Sequence, residues 1–115
     1  MDASKIMDLV GEPADEDLCD EMHRFSLNEC ALVLRRDCHG RLRRLEINFD
    51  EQRLPRVRAR LGALGAVRDL VPGQLMLLDL PGVAQVHLAP TRMSAVLRLN
   101  VQRAGVQELL AACIE

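Results

Sequence analysis

Cys19 and His23 stand four residues apart, a spacing that on a helix puts thiol and imidazole on one face, and Cys38 is followed directly by His39. With Cys30 these are the residues whose types could hold a zinc ion, because thiolate and imidazole are its usual donors. The spacing is a poor fit. Zinc sites in fingers and ribbons present closely spaced ligand pairs, and Cys30 to Cys38 with an adjacent His39 follows neither pattern. A metal- or thiol-dependent protein built on Cys19, His23, Cys38 and His39 is one alternative; free thiols are the plainer reading, since four cysteines in 115 residues is far below the density of disulfide-stapled secreted domains. Cys30, where a strand should begin, reads as a small buried hydrophobe, and His87, between Val86 and Leu88, as a structural or a surface residue rather than a catalyst.

Other chemistries find less support. Phosphate cradles need glycines where a helix begins, whereas Gly62 and Gly65 fall where one should end. Asp15, Glu16, Asp17, Asp20 and Glu21 form a dense acidic run of the kind that is usually just solvated. Nothing nominates an enzyme, and nothing calls for a cofactor.

Arginine is the residue type whose distribution stands out. Residues 1–30 hold nine acids and two bases, residues 31–60 hold nine arginines and four acids, and the last 55 residues hold four of each. A net charge of only -2 therefore hides an acidic opening and a basic middle, an asymmetry that bears on partners more than on fold. Arginine's planar fork pairs carboxylates bidentately, so Arg43, Arg44, Arg53, Arg56 and Arg60 are the candidate residues for gripping an acidic segment of a protein partner. That role requires them to face outward as one positive surface. The alternative is that the acidic arm neutralises them within the molecule. Shape-directed nucleic-acid binding could use the same nine arginines, Arg35, Arg36, Arg41 and Arg58 included. It is disfavoured by the overall acidity and by a chain whose only aromatic rings besides three histidines are Phe25 and Phe49, since single-strand readers stack bases on rings.

The elements that must position these residues can be read from periodicity. The size and the 49% hydrophobic content fit one globular domain, with an aliphatic core for want of Trp and Tyr. Ile6, Leu9 and Val10 fit a short helix ending at Gly11; a second opens at Pro13, with Leu18, Met22 and Phe25 as its stripe, so residues 1–27 read as an acidic helical arm and residues 28–115 as the domain. Asn28–Arg36 and Arg41–Phe49 read as a hairpin around Gly40. Asp50 caps a helix with Leu54, Val57, Leu61 and Leu64 toward the core, its start complicated by Pro55, and Arg53, Arg56 and Arg60 form a neighbouring stripe. Gly73–Leu80, Val83–Ala89 and Met93–Val101 read as three further strands, and Val106, Leu109, Leu110, Cys113 and Ile114 as one face of a closing helix. The expected fold is α+β, a largely antiparallel sheet of about five strands with helices on one face.

The stretch LPGVAQVHLAPTRMSAVLRLNVQRAGVQELLAACIE resembles the second half of small ferredoxin-like modules, such as the heavy-metal-associated and ACT domains. The likeness implies ferredoxin-like layering over about a third of the chain; metal transfer is not implied, because no Cys-x-x-Cys loop is present. In size, acidity and terminal helices the chain is also similar to the small chaperones of bacterial type III secretion, which implies chaperone-like layering and a homodimer. The high Leu, Ala, Val and Arg content with a single lysine, Lys5, is typical of a GC-rich bacterial genome. No apolar run is long enough for a bilayer and the start lacks a signal-peptide pattern, so a cytoplasmic, non-membrane protein is expected. Its expected function is that of a non-catalytic adaptor, regulator or chaperone.

Overall fold

The computed structural model describes residues 21–37, 42–71, 74–78, 80–98 and 100–115. Seven strands form a single antiparallel sheet: β1 (Glu21–Leu27), β2 (Cys30–Arg36), β3 (Leu42–Asn48), β4 (Ala66–Val71), β5 (Gln74–Leu78), β6 (Val83–Ala89) and β7 (Arg92–Leu97). Their spatial order is β1-β2-β3-β7-β6-β5-β4. Two helices complete it, α1 (Leu54–Gly62), which follows one 3₁₀ turn at Glu51–Arg53, and α2 (Arg103–Ile114).

One face of the sheet makes the core. Cys30, Leu32 and Leu34 of β2 share it with Leu45 and Ile47 of β3, Met93, Ala95 and Leu97 of β7, and Val86 and Leu88 of β6. Val57 and Leu61 of α1 and Val106, Leu109, Leu110 and Cys113 of α2 are buried in the same cluster. Each strand alternates, so the opposite face falls to residues such as Arg24, Ala31, Arg35, Arg44 and Arg92, all exposed. Among the described residues, helices therefore cover one face and leave the other open.

Most elements lie where periodicity places them, and two strands are additional. Glu21–Leu27 is β1, not part of a helix: His23, Phe25 and Leu27 alternate with Met22, Arg24 and Ser26, and pairing with β2 selects that period-2 pattern over the Met22 and Phe25 helical spacing. A boundary drawn after residue 27 thus falls behind the first strand; the expected helices before it lie outside the described residues. Asn28, expected to open the first strand of the hairpin, instead turns the chain with Glu29, both at positive φ, the backbone of a tight two-residue hairpin. The other added strand, β4, lies at the sheet edge with every described side chain exposed, so it carries no buried-face alternation to read.

Local chemistry explains the remaining joints. Asp50 accepts from the Gln52 N–H at 3.0 Å, and the 3₁₀ turn it caps delivers Pro55 to the first turn of α1, where its missing donor costs no helix hydrogen bond. Gly82 has φ 74, and a Cβ there would stand 2.6 Å from the Cα of Val101, so the Pro81–Gly82 turn admits glycine alone. Because β7 ends at Leu97, Val101 packs on that turn rather than extending the strand.

Candidate anion-binding surface

The arginines of the β2–β3 pair come together through an irregularity in pairing. Arg35 pairs with Arg44, but Arg36 pairs with Leu42, which leaves Arg43 as an extra residue in a bulge on β3. In a regular strand, neighbours point to opposite faces. Here both members of two consecutive pairs, Arg35 with Arg36 and Arg43 with Arg44, line one hollow of about 330 Å³, together with Asp37 and Val96. Arg35 and Arg44 are exposed, Arg43 is half-buried, and Arg36 is 4% exposed. Like charges placed directly across an antiparallel pair are destabilising, which makes the Arg35–Arg44 register costly unless an anion neutralises it. The open-face acid Glu46 is turned to Arg92, at 3.2 Å.

The helix arginines do something else. Arg53 donates through Nη1 to the carbonyls of Cys113 at 3.4 Å and Ile114 at 3.2 Å, and through Nη2 to that of Asn28 at 2.6 Å. Arg60 donates to the Ala111 carbonyl at 3.3 Å and to the main-chain oxygen of Glu115. The oxygens of Cys113, Ile114 and Glu115 are ones that the last turn of α2 leaves without intrahelical donors, at the end where a helix favours cations, whereas the Ala111 carbonyl also accepts from the Glu115 N–H at 3.3 Å. Arg58 pairs with Asp69 of β4, and Arg56 is exposed. The five candidate arginines thus divide into two groups. Arg43 and Arg44 lie at the β2–β3 hollow, while Arg53, Arg56 and Arg60 lie on the helical layer, two of them occupied in holding α2. They do not make one continuous outward surface. Arg35 and Arg36, read in the sequence as candidates for nucleic-acid contact only, line the same hollow, because folding the hairpin back on itself sets the two Arg-Arg dipeptides against each other.

Two described cysteines, Cys30 and Cys113, are free and buried. The Cys30 thiol faces the Asn28 carbonyl at 3.6 Å and the Cys113 carbonyl at 4.0 Å. Burial pushes the Cys113 thiol up to about 12, with Cys30 adding to the effect. Burial raises that of Cys30 too, against the pull of Arg53. Neither is a thiolate nucleophile at neutral pH.

Comparison with known proteins adds no identity. No family model, curated protein or solved structure matches this chain. Among the described residues no helix is long and apolar enough to cross a membrane, and no three His, Cys, Asp or Glu side chains gather to hold a metal. Of the zinc candidates Cys30 and His23 are described, the latter half-buried on β1 and stacked near Phe25; Cys19, Cys38 and His39 lie outside the described residues. His87 is half-buried on the open face of β6.

Proposed function

We propose that the chain is a non-catalytic cytoplasmic binding protein, an adaptor, regulator or chaperone, that engages an acidic segment of a protein partner through arginine. The observation that carries this reading is the hollow lined by Arg35, Arg36, Arg43 and Arg44, with Arg35 and Arg44 paired directly across the strands. Such an arrangement stores repulsion that an anionic partner relieves. Arg43 and Arg44 are its contact residues, Arg56 is an exposed auxiliary, and Arg53 and Arg60 act indirectly by fixing α2. The layering, one helical layer on an open antiparallel sheet, is in keeping with a ferredoxin-like or chaperone-like binding module.

A second copy is a further proposed partner. Val67, Leu70 and Val71 are 42%, 43% and 50% exposed on the edge strand β4, whose outer side has no neighbour in the sheet. An exposed apolar edge of this kind favours strand pairing.

The test of the principal reading is titration of a dye-labelled peptide of alternating glutamate and serine against the full chain, followed by anisotropy. Binding should weaken as salt rises and fall about tenfold or more in Arg43→Gln/Arg44→Gln, roughly the loss of one or two charge-assisted contacts. Equal binding by the native and double-substituted proteins would remove the hollow from the function.

A further inference from the structure

We infer that the anionic group selected by the β2–β3 hollow is a phosphate monoester, a phosphorylated side chain on the acidic partner, rather than a carboxylate. The inference rests on the function proposed above and narrows it. A carboxylate offers one negative charge and two oxygens, which one arginine fork satisfies. The hollow is lined by four arginines, of which Arg36 already has a partner, and by one described acidic residue, Asp37, which is partnered as well. A phosphoryl group carries about -1.5 to -2 at pH 7 and three acceptor oxygens, which matches two opposed forks and leaves room for a third.

The local geometry supports one compact anion in place of an extended track. The bulge brings Arg43 to the same hollow as Arg44, so positive charge is concentrated within about 330 Å³ instead of being spread along the strand. Arg36, 4% exposed at a core-facing position of β2, is already partnered, which leaves Arg35, Arg43 and Arg44 to meet the anion. Val96 of β7 supplies an apolar wall from the neighbouring strand. A nucleic-acid backbone offers single charges repeated along its length and pairs best with a stripe of bases and stacking rings. Elsewhere on the described open face, Arg92 is committed to Glu46, and its only ring is that of His87.

The experiment compares four probes by calorimetry against the full chain: a short glycine-serine peptide bearing one phosphoserine, the same peptide with glutamate at that position, inorganic phosphate, and a single-stranded oligonucleotide of matching length. The phosphopeptide should bind about tenfold or more tightly than the glutamate peptide. That preference should vanish in Arg35→Gln/Arg44→Gln and persist in Arg92→Gln, with circular dichroism confirming the fold of both. Equal affinity for phosphopeptide and glutamate peptide would overturn the inference while leaving the acidic-partner function standing. Binding of neither would overturn both. Inorganic phosphate binding as well as the phosphopeptide would replace a modified partner by a small anion, and a tighter oligonucleotide would replace it by nucleic acid.

Discussion

The carbonyl oxygen of Asn28 accepts a hydrogen bond from Arg53 at 2.6 Å, while the Asn28 side-chain amide donates to the Ile114 carbonyl at 2.9 Å. The β1–β2 turn, the entry to α1 and the end of α2 are thereby joined at one point, though they are distant in sequence. Arg53 supplies most of that junction, through three acceptors on two elements.

Removing it should be expensive. Arg53→Ala is expected to lower the unfolding free energy by about 2–3 kcal/mol, because charge-assisted bonds are lost and helix-end carbonyls are left unmet. Arg53→Lys should recover little of this, since an ammonium cannot span the same acceptors. Arg56→Ala, on the same helix but exposed, should change stability by less than about 0.5 kcal/mol. Guanidinium denaturation of the three variants decides the matter, and equal midpoints for the two alanine variants would refute the role given to Arg53.

Glu29 holds φ 64 in a turn position that glycine occupies without strain. Glu29→Gly should therefore stabilise the protein by about 0.5–1 kcal/mol, relief of left-handed strain outweighing the added freedom of the unfolded chain. A fall in thermal midpoint on this substitution would show that the Glu29 side chain contributes more than its backbone costs.

Stability should be flat from pH 7 to about 8.5 and decline above it. Burial raises the Cys113 thiol to about 12, so between its unfolded value, near 9, and that limit the native state holds a proton that the unfolded chain releases. Stability is thus lost as pH rises, at about 1.4 kcal/mol per pH unit for this one group. Cys30, raised by burial as well, contributes with the same sign, while the chain has no tyrosine and only one lysine. Cys113→Ala should flatten the alkaline limb in urea titrations, whatever it costs at neutral pH; an unchanged slope would exclude Cys113 as its source.

Arg44→Ser should make the unliganded protein more stable by about 0.2–1 kcal/mol, because it removes the like-charge pair with Arg35, while weakening anion capture. Denaturation at low salt and peptide anisotropy on the same sample read the two effects. A variant that lost both stability and binding would mean that Arg44 serves the fold.

Where a buried face left alternation or helical spacing in the chain, the element was legible. Val83–Ala89 falls on its expected bounds, and the stripe of Val106, Leu109, Leu110, Cys113 and Ile114 is buried in α2 as periodicity requires. β4 was illegible for the converse reason, since an exposed edge strand places no demand on pattern. At β1 two periods coexisted over Met22–Phe25, and only the presence of β2 alongside chose between them.

Charge blocks, the abundance of arginine, the aliphatic core and the α+β class were set by the sequence alone, because each depends on composition or on short-range repetition. Which arginines face solvent and which bind the end of α2 was decided by the tertiary structure. A guanidinium is long enough to reach either water or a neighbouring carbonyl, so its role depends on whether an unmet acceptor stands within reach. For Arg53 and Arg60 the end of α2 supplies such acceptors; for Arg35 and Arg44 the strand register sets each opposite the other.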